Sequence, residues 1–120
     1  MKRLLSFTEI YLHRDAVDFR KSINGLTLIV EQDMQCSPFA AALYVFCNKT
    51  RDKLKVLYWD STGFALWYKR LEKDKFQWPR KHQEAILSVS DEQWQWLLAG
   101  LDIQKMKTHA TLYYPDRAVV

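Results

Sequence analysis

Residues 43–71 read LYVFCNKTRDKLKVLYWDSTGFALWYKRL, three apolar runs separated by two short polar breaks. The runs 43–48, 54–60 and 64–71 are rich in Val, Tyr, Phe or Trp, residue types that fit a pleated, half-buried surface. The first break, Lys49-Thr50-Arg51-Asp52-Lys53, is a charged loop; the second, Ser61-Thr62-Gly63, offers a glycine for a tight turn. Links this short join neighbouring strands of opposite direction, because a parallel crossover takes about a dozen residues or more. The stretch therefore predicts an antiparallel meander.

Beyond it, Glu72-Lys73-Asp74 reads as a turn and 75–78 as a fourth strand, ended by Pro79. Residues 85–89 read as an edge strand. Ser90-Asp91-Glu92-Gln93 has the capping-box pattern, in which the serine oxygen takes a backbone N–H three residues on and Gln93 returns the contact. Trp94, Leu97, Leu98 and Leu101 form the apolar face behind that cap, with Gly100 as the expected stop. On the N-terminal side, 9–13 (EIYLH) reads as a short strand and Asp15 as a cap for the helical segment after it. Ile23, Leu26, Thr27, Val30 and Met34 recur at three-and-four spacing, one stripe of a helix running to about Met34, and Ser37-Pro38 ends regular structure. The expected architecture is α+β: a single domain over 1–120, an antiparallel meander of four or five strands packed with two main helices, and a flexible C-terminal tail over 104–120.

The chain's charge is regional. Residues 49–81 hold ten of the eighteen Lys and Arg and three of the five Trp against four acids, a local net of +6 in a chain whose total is +4. Cations interleaved with aromatics suit a phosphate backbone with its bases, or an acidic protein surface. The contact candidates are Lys49, Arg51, Lys53, Lys55, Trp59, Trp67, Lys69, Arg70, Arg80 and Lys81. Side chains alternate along a strand, so Lys55, Trp59, Trp67 and Lys69 are expected to combine on one open face of the sheet. The competing reading puts both indoles in a core under the second helix. Lys49–Lys53 and 70–75 contain acids able to pair with their cations, whereas Arg80 and Lys81 have no acid nearby before Glu84 and are the better phosphate candidates.

Other function classes find little support. Cys36 and Cys47 form neither a CxxC motif nor a zinc spacing, which fits reduced thiols and a cytoplasmic location. His13, His82 and His109 show no metal-ligand spacing and are expected to be ordinary surface residues. There is no P-loop, GxGxxG or GxSxG, so no cofactor, metal or catalytic residue is assigned, and a small nuclease is the weakest reading. No apolar run has the length of a membrane span.

One ordered series of motifs adds to this reading. Asp18-Phe19-Arg20-Lys21, Ile23-Asn24-Gly25-Leu26, Pro38-Phe39, Leu43-Tyr44-Val45-Phe46, the run from Arg51-Asp52-Lys53 to Trp59-Asp60, Gly63-Phe64, Lys69-Arg70-Leu71-Glu72 and Phe76-Gln77-Trp78-Pro79 follow one another in that order. Over roughly residues 7–101 they resemble the accessory proteins of the insertion-sequence-66 group of bacterial transposons. The resemblance implies a non-catalytic helper of DNA transposition, carried beside a separate transposase that cuts the strands. It carries no catalytic residue onto this chain. Its implied partners are transposon DNA, the cognate transposase, or both, and the basic-aromatic segment coincides with its densest motif.

Overall fold

A computed structural model describes residues 9–106. Its elements are β1 (Glu9–His13), α1 (Ile23–Gln32), β2 (Ala42–Cys47), β3 (Lys53–Trp59), β4 (Phe64–Arg70), β5 (Ile86–Val89) and α2 (Asp91–Leu98). The strands make one five-stranded sheet in the order β4-β3-β2-β1-β5. The meander holds: β2 pairs antiparallel with β3, and β3 with β4. The sheet as a whole is mixed rather than antiparallel throughout, because β1 runs parallel to β2. The connection between those two strands contains α1, so it is long enough for a crossover that a hairpin cannot make.

β2 lies at the centre with all six residues buried, which accounts for its unbroken apolar sequence. Its Leu43, Val45 and Cys47 join Leu54, Val56, Trp94 and Leu97 in the core beneath α2. Its Ala42, Tyr44 and Phe46 join Leu57, Leu26 and Val30 beneath α1. The molecule is therefore three layers, a sheet with one helix on each face.

The helices begin and end for local reasons. α1 follows Ser22 rather than Asp15, and stops at Gln32 because Gln35 adopts φ 54°, in the left-handed region, while the N–H groups of Asp33 and Met34 both return to the Ile29 carbonyl. At α2 the capping box forms as read: Ser90 Oγ accepts from the Gln93 N–H at 3.1 Å, and the Ser90 N–H donates to Gln93 Oε1 at 2.8 Å. Gly100, with φ 93°, follows the helix end.

Residues 75–78 are not a strand. The Phe76 N–H reaches the Arg51 carbonyl at 2.7 Å, the Trp78 indole N–H reaches the His13 carbonyl at 3.0 Å, and both rings are buried in the α2-side core. The segment straps across that core instead of joining the ladder, so its apolar alternation reports burial and not sheet pairing. His13 also departs from expectation, being 3% exposed. Its ring sits between the Asp15 carbonyl and the Asp33 carboxylate, tying β1 to the end of α1. His109 and most of the expected tail fall outside the described residues.

Candidate nucleic-acid interface

The β2–β3 turn spans residues 48–52 and is built by Asn48. Its side-chain oxygen accepts from the Asp52 and Lys53 N–H groups, and its amide donates to Asp52 Oδ1 at 2.7 Å. Thr50 donates to the same carboxylate oxygen at 2.7 Å, and these two contacts hold the Asp52 carboxyl below its usual range. With the turn folded this way, Arg51 is lifted into the left-handed region at φ 61° and Lys49 is exposed.

Other connections end at the same edge. Leu71 N–H bonds the Asp52 carbonyl and Phe76 N–H bonds the Arg51 carbonyl, so the turn 72–75 closes beside the turn 48–52. Lys53 is paired with Arg70, and Lys69 lies opposite Leu54. Arg80 is near enough that its charge, like that of Arg51, acts on the Cys47 thiol at the end of β2. One end of the sheet thus gathers Lys49, Arg51, Lys53, Lys69, Arg70, Lys73, Lys75 and Arg80.

Compensation at this end is partial. Arg70 is bound through two nitrogens to Glu72, at 2.9 and 3.0 Å. Among the described residues no carboxylate pairs with Lys49, Arg51, Lys53, Lys69, Arg80 or Lys81. Asp52 takes both of its side-chain hydrogen bonds at Oδ1 from neutral donors of its own turn, and its charge acts on the neighbouring Lys53 and Arg70 without forming an ion pair with either. Beside Lys49 lies an open cleft of about 440 Å³ between residues 16–19 and 48–50. Its one carboxylate, Asp18, is clasped by Arg20, whose guanidinium and backbone N–H bring its pKa down to about 2.

The expected cation-aromatic face does not assemble. Residues paired across an antiparallel ladder share a face, and the pairs are Lys55 with Tyr68, Val56 with Trp67, Leu54 with Lys69 and Trp59 with Phe64. Lys55 and Trp59 therefore point to the α1 side, while Trp67 and Lys69 point to the α2 side. Lys55 is only 8% exposed; its Nζ donates to the carbonyls of Phe19 and Lys21, both at 2.8 Å, and lies over the Phe19 ring. Burial draws its pKa below the ordinary lysine value. It is a structural clasp. Trp67 is half-buried against the α2-side core.

Trp59 has a different setting, overlooked in the sequence. It packs edge-on against Phe39 and Phe64, with centroids 5.0 Å away in each case, and Phe39 is 58% exposed. This aromatic group sits at the β3–β4 hairpin, the far end of the strands from the cations, about 20 Å away for six residues of strand. Phe39 arrives from the α1–β2 connection, so no local spacing could have announced it. Lys81 is exposed, with its N–H on the Gln104 side chain. Among the described residues no group of three His, Cys, Asp or Glu could hold a metal ion.

The family described as IS66 Orf2 like protein matches residues 8–108. The chain belongs to this family. Two chains of Sinorhizobium fredii are similar: "Uncharacterized protein y4jC", 37% identical over 91 residues (76% of this chain and 77% of that one), and "Uncharacterized protein y4hO", 31% identical over 93 residues (78% and 80%). No solved structure matches. Membership in the IS66 Orf2-like family places the chain in the setting of IS66 transposition, in an accessory role. No helix among the described residues is long and apolar enough to cross a membrane.

Proposed function

We propose that this IS66 Orf2-like protein is a non-catalytic accessory factor that binds transposon DNA through the phosphates, using the basic end of its sheet. The observation that supports this most is the set Lys49, Arg51, Lys53, Lys69 and Arg80, gathered by the β2–β3 turn, the adjoining ends of β3 and β4 and the β4–β5 connection, with no carboxylate pairing to any of them among the described residues. Lys81 extends the same surface, and Arg70 joins it only by leaving Glu72. Contacts to phosphates position a protein on DNA without reading base edges, so binding through them has little sequence preference. Lys55, Trp59 and Trp67 take no part in it.

Titration of labelled element-end DNA followed by fluorescence anisotropy tests the reading. About five phosphate contacts give a slope of log affinity against log salt of roughly −4.5, a loss of about 500-fold between 50 and 200 mM salt. No binding at either salt concentration rejects it.

A second reading, docking on the transposase, rests on the cluster of exposed Phe39 with half-buried Trp59 and Phe64, since aromatic side chains at a surface are the usual anchors of a protein interface. Co-purification with the transposase in nuclease-treated lysate, lost on Trp59→Ala, supports it; co-purification that survives the substitution removes Trp59 from the contact.

A further inference from the structure

The sheet has two edges, and they are not alike. β5 is four residues long and is interrupted by the exposed Ser88. β4 is seven residues long, FALWYKR, with no proline and with cations only at its last two positions. Natural proteins guard edges with short strands, prolines, bulges or charges, because an open row of N–H and C=O groups recruits another strand. Most of β4 carries no such guard.

The ladder shows which groups are free. Asp60 N–H bonds the Gly63 carbonyl and Leu71 N–H bonds the Asp52 carbonyl, so with the register of the pair it is the odd-numbered residues of β4 that face β3. The N–H and C=O of Phe64, Leu66, Tyr68 and Arg70 point outward, and among the described residues none of them has a backbone partner. Tyr68 is 49% exposed.

We infer that β4 pairs antiparallel with β4 of a second copy of this chain, in the register centred on Trp67. Only this register engages all four outward residues on both strands. It sets Phe64 opposite Arg70 of the other copy, Leu66 opposite Tyr68, Ala65 opposite Lys69, and Trp67 against itself on the twofold axis. Each cation then meets a ring or a methyl group. Sliding the strands so that Lys69 meets Lys69, or Arg70 meets Arg70, places like charges directly opposite, which is unfavourable. The sequence of the edge is thus complementary to itself reversed, the requirement of a twofold contact. Two sheets join into one of ten strands, and the basic ends lie on opposite sides of the axis.

The mass in solution by sedimentation equilibrium is the first test: the expected result is a dimer of the 14.3 kDa chain, and a monomer throughout the micromolar range overturns the inference. Two substitutions at one half-buried site then test the register. Ala65→Glu faces Lys69 of the partner twice and Ala65→Lys repels it twice, so the dimer of the first is expected to be about tenfold tighter than that of the second. Equal association places the contact elsewhere and overturns the inference. Amide exchange of the unaltered dimer is independent of either variant: the N–H groups of Leu66 and Tyr68 are expected to exchange slowly, and fast exchange at both contradicts the pairing.

Discussion

Lys55 shows why a cation in a basic stretch need not be a contact residue. Its charge is held inside the fold by two carbonyls and a ring, and it fastens the connection before α1 to the middle of β3. Replacing it by methionine keeps most of the packing but leaves those carbonyls without their donor. Lys55→Met is expected to cost about 1–2 kcal/mol in urea unfolding while leaving DNA affinity unchanged. Cys47 is a second residue defined by burial, which pushes its thiol up to about 12. The folded chain should react with thiol reagents at the half-buried Cys36, and at Cys47 only on unfolding. The thiolate favours the unfolded chain, so this group leaves stability unaffected below its ordinary 9.0 and lowers it as pH climbs from there towards 12. Tyr44, also raised by burial, acts in the same direction. The alkaline fall in the urea midpoint is expected to be shallower in Cys47→Ala than in the parent; an unchanged fall contradicts the assignment.

At the scale of elements, legibility followed the range of the interactions. The strands of the meander and the capping box of α2 depend on neighbours in sequence, and both were readable. Ser90→Ala removes one half of that box and is expected to cost about 1 kcal/mol of stability, measured by thermal or urea melting. The pairing of β1 with β2 was not readable, because it joins segments separated by a helix. The faces of β3 and β4 were misjudged for a countable reason. Gly63 belongs to the ladder, bonded to Asp60, and the loop is the two residues Ser61 and Thr62, with Ser61 at φ 54°. A two-residue loop pairs odd positions with even ones, and that parity separates Trp59 from Trp67. Residues 75–78 misled in the other direction: Phe76 and Trp78 alternate like a strand because they fill one core from a strap.

At the scale of the whole molecule, the sheet sorts its surface chemistry along the strand axis. Turns 48–52 and 72–75 collect cations at one end, the Phe39, Trp59 and Phe64 group lies at the other, and the helices cover the faces between them. The regional charge was legible as a total, and its concentration at one end was not, since it needs the ladder that sets Lys53 beside Arg70 and Leu71 beside Asp52. Family membership supplies the transposition setting, and the uncompensated cations supply the proposed contact with DNA. The most direct test is the salt dependence of end-DNA binding by the triple variant Lys49→Ala, Arg51→Ala, Lys69→Ala, beside the parent chain. None of the three side chains is buried, so folding should be kept. If each contacts a phosphate, the slope of log affinity against log salt becomes shallower by about three; a slope equal to that of the parent would show that the basic end of the sheet does not touch DNA.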